Sequence, residues 1–232
     1  MGLFKKNPFG HLLFIKLWII RILGALSHNR FKGFNELQIE GSEVIKKLPE
    51  TNVLFVSNHQ TYFADVVAMF HVFNASLSGR TDSIKNVGYL WRPKLNVYFV
   101  AAKETMKDGL LPKIMAYAGS VSIERTWRAE GKEVNRQVKM SDVSSISKAL
   151  DDGWLITFPQ GTTKPWKPIR RGTAHIIKKN KPIVVPIVID GFRRSFDKKG
   201  LRIKKRGILQ SFIIKEPLEI DYENDTVDAI VE

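Results

Sequence analysis

The chain has 232 residues, 44% of them hydrophobic, enough for one core of ordinary size and too apolar for a disordered tail. Its 37 Lys and Arg outweigh 23 Asp and Glu, and the formal charge of +14 calls for an anionic partner: a membrane surface, nucleic acid, a phosphorylated small molecule or an acidic protein. The absence of cysteine excludes disulfides, thiolate nucleophiles and Cys-ligated zinc.

The N-terminal stretch MGLFKKNPFGHLLFIKLWIIRILGALSHNRFKG is basic at both ends and apolar from about Leu12 to Leu26, with Lys16 and Arg21 inside the apolar part. That run is shorter than the ~20 residues a spanning helix needs, and each central cation costs ~3 kcal/mol on the insertion scale. A signal peptide fits poorly because the charges break its core, and Lys6 stands where a myristoylation motif wants Ser or Thr. The reading that remains is a helix lying in the headgroup layer, with Lys16 and Arg21 reaching for phosphates and Trp18 at the interface. The alternative is a helix packed on the domain's own core. Residues 1–35 are therefore expected to be a membrane-association segment and 36–232 a separate α/β domain.

Beyond residue 35, the pattern predicts strands near 37–40, 52–57, 97–102, 120–124, 154–158, 183–189, 202–206 and 208–214, several of them rich in Val and Ile. Helical spacing predicts helices over 63–76, 109–118, 130–151 and 172–179, while 77–96, with Gly79, Gly88 and Pro93, reads as a loop. This alternation predicts an α/β fold, a mixed, partly parallel sheet flanked by helices. Ligands gather at the carboxyl ends of strands in such sheets, and four polar blocks fall there. After NVLFV comes SNHQTYFAD, after YFVAA comes KETMKDGLLP, at the end of GSVSIE stands Arg125, and after WLITF comes PQGTTKPW. Together they supply a His–Asp pair, several cations and a Gly turn, which suits proton abstraction from a hydroxyl beside a bound phosphate.

In this order the blocks resemble the glycerophospholipid acyltransferase family, whose best-known members are the 1-acylglycerol-3-phosphate acyltransferases. NHQTYFAD resembles its first motif, AGSVSIER its second, FPQGTT its third and PIVVPIVI its fourth, and the likeness runs from about residue 50 to 192. Two departures stand out. The family's first motif places four residues between His and Asp, whereas His59 and Asp65 are separated by five. Neither spacing aligns the pair on one helix face, so the histidine must lie in the turn before the helix, where one more residue is absorbed by loop conformation. In the third motif, Gln160 and Thr163 replace the family's glutamate and arginine.

The resemblance implies that His59 is the general base and Asp65 its orienting partner, with Arg125 gripping the acceptor's phosphate. It further implies a substrate-binding set of Asn58, Gln160, Gly161, Thr162 and Lys164, with backbone N–H groups around Gly161 facing the oxyanion. No cofactor is expected to be bound, acyl-CoA or acyl-ACP being a co-substrate. The partners implied are an anionic membrane surface, a lysolipid acceptor and an acyl carrier protein, at the cytoplasmic face of the cell membrane, and no nucleic acid. Plainer readings stand beside these: His59 as a turn histidine, Asp65 as a helix N-terminal residue favoured by the dipole, Arg125 as the ion-pair partner of Glu124, and the basic run from Arg193 to Arg206 as a solvated or membrane-facing surface. A metal site at His59, Asp65 and His71 lacks a ligand motif, and AGSVS lacks the second glycine of a serine-hydrolase elbow. Two functions remain: an acyltransferase, or a lipid-binding relative without chemistry.

Overall fold

The computed structural model describes residues 4–106, 110–124, 128–129, 132–133 and 139–232. In chain order the elements are α1 (Leu13–Phe31), β1 (Glu36–Glu40), α2 (Val44–Lys47), β2 (Val53–Ser57), α3 (Ala64–Leu77), β3 (Val97–Ala102), α4 (Leu110–Ala118) and β4 (Ser120–Ile123). There follow β5 (Arg128–Ala129), β6 (Lys132–Glu133), α5 (Met140–Asp152), β7 (Trp154–Thr157), α6 (Arg171–Asn180), β8 (Ile183–Asp190), α7 (Phe192–Ser195), β9 (Leu209–Ile214) and α8 (Val227–Val231).

Seven strands form one sheet in the order β1-β9-β8-β2-β7-β3-β4. Every neighbouring pair is parallel except β8 and β9. Central parallel strands are covered on both faces, which is why VLFVS and WLIT are continuous apolar runs and not alternating ones. Successive side chains still divide between the faces. Val53 and Phe55 of β2 join Phe73 of α3 and Phe31 of α1 in one core, while Leu54 joins Ile146 and Leu150 of α5 and Ile177 of α6 in the other.

Three expected elements change. No strand forms over 202–206; Ile203 makes a single bridge to Phe196, and the cations around it lie in an exposed loop between Gly200 and Gly207, both with positive φ. The helix expected over 130–151 begins at Met140; Lys132–Glu133 pairs instead with Arg128–Ala129, and 130–131 and 134–138 lie outside the described residues. The loop 77–96 contains a 3-10 turn, Val87–Trp91, which packs beneath α1.

α1 is apolar all round, and that gives it two partners' worth of surface. Ile20 and Phe31 enter the core, while Phe14, Trp18, Ile22 and Leu26, spaced by four, stay exposed. Lys16 departs from expectation: its ammonium is fully buried and donates to Val97 O at 3.0 Å, so it does not reach outward. Arg21 lies between the rings of Trp18 and Trp91 and donates to Trp91 O. Among the described residues no helix is long and apolar enough to cross a membrane.

Candidate active site

β2 delivers the chain to the carboxyl edge of the sheet at Ser57, and a turn over residues 58–63 carries it into α3. Asp65 lies in the first turn of α3 with its carboxylate fully buried. It accepts from the amides of Gln60 at 2.6 Å and Thr61 at 3.1 Å, from Thr61 Oγ1 at 2.7 Å, and meets His59 Nδ1 at 2.9 Å. A turn amide that found no such acceptor would cost about 1–3 kcal/mol, so the aspartate both folds the turn and aims the imidazole. The additional residue between the pair is absorbed in this turn, and the two side chains are in hydrogen-bond contact.

A carboxylate can only accept, so Nδ1 carries the proton and Nε2 presents its lone pair. Among the described residues Nε2 has no partner, and the side chain is 13% exposed. Phe158, the first residue beyond β7, stacks on the imidazole with ring centroids 3.9 Å apart and fixes its plane.

The turn is clamped from β8. Asn58 Nδ2 donates to Ile189 O and Asn58 Oδ1 accepts from Ile189 N, both at 2.8 Å, so both ends of its amide are committed to backbone. Gln60 bonds Ile189 O, Asp190 Oδ1 and Arg193 N. Arg193 Nη2 reaches His59 O at 3.4 Å. In the sequence Arg193 stands inside a basic run; the signal that singles it out is its place three residues after β8, the strand of the fourth motif.

In the block after β7, Gly161 adopts φ +63° and donates to Phe158 O at 2.8 Å, closing a turn that a side chain would strain. Its own amide is thus engaged. Thr162 Oγ1 accepts from Lys164 N, and the Lys164 side chain is exposed. Gln160 Nε2 donates to Lys167 O at 2.7 Å, and Arg170 Nε donates to Gln160 O. That donor bond is open to glutamine and closed to glutamate. Gln160→Glu is therefore expected to lower stability by about 1 kcal/mol, a melting temperature about 2–4 °C lower by scanning calorimetry; an unchanged transition would show the bond to be idle.

Arg125 lies outside the described residues. Its neighbour Glu124 pairs with Lys139 at 2.8 Å, and Glu124 N donates to Asp142. Among the described residues no group of three His, Asp or Glu is arranged to hold a metal. His71 is instead buried inside α3, bonded to Tyr89 OH at 2.7 Å and Ser27 Oγ at 3.0 Å, and burial pushes its pKa down to about 3. Beside the turn that holds His59 and Asp65 a nearly apolar cavity of about 70 Å³ opens between α1, α3 and α4, lined by Ile20, Gly24, Phe63, Val67, Phe70 and Phe99, with His71 also at its wall.

A His–Asp pair on the turn between a parallel strand and its helix, with an apolar cavity behind it, goes with sequence kinship: the chain belongs to the Acyltransferase family, whose profile matches residues 36–190. It is 27% identical over 202 residues to a 1-acyl-sn-glycerol-3-phosphate acyltransferase of Cocos nucifera. That alignment covers 85% of this chain and 55% of the coconut protein, so the chain spans about half the length of that relative. Its fold matches the crystal structure of the 1-acyl-sn-glycerophosphate (LPA) acyltransferase PlsC from Thermotoga maritima, with TM-score 0.55 at 19% identity over 93% of this chain and 76% of that one.

Proposed function

We propose that the protein is a membrane-associated O-acyltransferase of the 1-acylglycerol-3-phosphate type, with residues 1–35 as its membrane-associating segment and 36–232 as its catalytic domain. The observation that carries this reading is the His59–Asp65 contact, which leaves Nε2 unpartnered at the carboxyl edge of the sheet. The family membership and the printed activity of the coconut relative agree with it.

In this mechanism the acceptor hydroxyl gives its proton to His59 Nε2 as its oxygen attacks the thioester carbonyl of acyl-CoA or acyl-ACP. Asp65 holds the Nδ1 tautomer and stabilises the imidazolium that results. The tetrahedral oxyanion collapses with cleavage of the C–S bond, and the departing thiolate takes the proton from the imidazolium. The amides of Thr162 and Thr163 serve the oxyanion, because the Gly161 amide is already committed within its turn. Arg125 and Lys164 hold the acceptor's phosphate, with Gly161, Thr162 and Gln160 shaping that loop, and Asn58 keeps the turn in register. The apolar cavity next to Phe63 suits an acyl chain, and the exposed apolar stripe of α1 suits the headgroup boundary of the membrane that supplies it.

The test is turnover by purified protein with liposomes, lysophosphatidic acid and other lysolipids as acceptors, and acyl-CoA and acyl-ACP as donors. Product from one donor with lysophosphatidic acid establishes the reading and names the donor. Turnover confined to another lysolipid moves the acceptor, as Gln160 and Thr163 would allow. Vesicle binding without product from any pair sinks the enzyme in favour of a lipid-binding relative.

A further inference from the structure

The segment from Arg193 to Arg206 carries eight Lys and Arg against one Asp. Among the described residues, only Arg194 of these cations is ion-paired, with Asp190 at 3.0 Å. The one carboxylate, Asp197, accepts from the amides of Leu201 at 2.8 Å and Arg202 at 3.0 Å, which ties the loop into a fixed shape. Lys198, Lys199, Arg202, Lys204, Lys205 and Arg206 are left exposed on its outer side. Lys198 lies over the Tyr62 ring and Arg206 over the Phe34 ring, but none of the six has an ion pair among the described residues; on a constrained loop such cations repel one another, and an anionic partner removes that cost.

The loop also holds the catalytic turn. Tyr62 N donates to Lys198 O at 3.2 Å and Phe63 N to Lys199 O at 3.0 Å. Gly200 has φ +77°, and a Cβ there would stand 2.6 Å from Ala64 N, so loop and turn are in backbone contact. On its other flank Arg30, near the end of α1, donates to Leu201 O at 2.6 Å, four residues after the exposed Leu26. The apolar stripe of α1 thus runs into the basic loop, with Phe34 and Leu201 also exposed among the cations.

Resting on the membrane reading above, we propose that this loop is the docking surface for an anionic phospholipid leaflet and seats the catalytic turn at the headgroups. Apolar residues continuous with unpaired cations match the boundary between acyl chains and charged headgroups. A soluble acidic protein would leave the stripe without a partner.

The experiment is co-sedimentation of the whole chain with phosphatidylglycerol-containing and with purely phosphatidylcholine vesicles, for wild type and for a variant carrying Lys199→Gln, Arg202→Gln, Lys204→Gln and Lys205→Gln. The expected result is at least ~10-fold weaker binding of the variant to anionic vesicles, unchanged binding to neutral ones and an unchanged melting temperature. Wild-type binding to the anionic vesicles should also weaken as salt rises, a measurement that needs no variant. Anionic-vesicle binding equal in variant and wild type overturns the proposal alone. So does a variant that loses binding to polyglutamate while keeping the vesicles, which assigns the loop to an acidic protein. Wild type that binds neither kind of vesicle overturns the membrane reading with it.

Discussion

Asp65→Asn is expected to lower turnover by about 10³–10⁴-fold, and His59→Ala by about 10²–10⁴-fold. The two losses have different physical origins. His59→Ala removes the base and leaves the carboxylate its bonds to Gln60 N, Thr61 N and Thr61 Oγ1. The turn stays folded, and the melting temperature should move little. Asp65→Asn keeps volume and removes the charge, but one oxygen becomes an NH₂ group facing a site built from donors. If that group faces His59, the imidazole must move its proton to Nε2, where a base needs its lone pair.

If the amide instead turns its oxygen to His59, its NH₂ opposes the Thr61 donors, and a buried donor is left unpaired at about 1–3 kcal/mol. Asp65→Asn should therefore lower the melting temperature by several degrees as well as the rate. The double variant should be no slower than the worse single one, since each removes the same catalytic unit. Turnover is the measurement, with circular dichroism as the control for folding. Full activity in either variant ends the dyad reading, and multiplicative losses would show that the two residues act separately.

The strands were legible because burial on both faces selects unbroken Val- and Ile-rich runs, and β2, β3, β7 and β8 lie where those runs lie. The run RIKKR, also expected as a strand, has one apolar residue, Ile203, among four cations, and a strand also needs a neighbour to bond. Nothing local announces that its pairing stops at one bridge to Phe196 and the loop bonds that Ser195 O accepts from Lys204 N and Lys205 N. The candidate site divides likewise. His59 and Asp65 are close in sequence, and their motif is readable. What holds their longer turn comes from residues about 130 or more positions away: the clamp of Asn58 on Ile189 and the carbonyls of Lys198 and Lys199. Arg193 was lost in a charge run because exposure, which separates it from its neighbours, is a property of the fold. α1 failed for another reason. A helix apolar on every side has no polar face to set its rotation, so the sequence could not say which of its cations turns inward.

Lys16 is that cation, and stability should rise as pH goes from about 7 to about 9.5. Its ammonium is fully buried, donates to Val97 O and sits 4.5 Å from the centre of the Tyr98 ring. Burial lowers its pKa to about 7, partly opposed by the charge of Asp152, which accepts from Tyr98 OH. In the unfolded chain the amine titrates near 10.4. Between these values the unfolded state binds the proton and the folded state does not, so rising pH favours folding, by up to roughly 4 kcal/mol over the full interval.

The neighbouring groups act in other windows. His11 has its pKa lowered by burial and then by the charge of Lys16, and His71 is lowered to about 3, so both act below about pH 6.5. Tyr98 has its pKa raised by burial and by Asp152, which lowers stability only above about pH 10. Lys16→Met keeps the length and removes the charge, leaving Val97 O without its donor at about 1–3 kcal/mol. Urea unfolding of wild type should show stability climbing between pH 7 and 9.5, and Lys16→Met should flatten that rise. A wild type with no slope across this window would mean that the ammonium stays charged inside the fold, with Val97 O, Tyr98 and Asp152 together replacing its water.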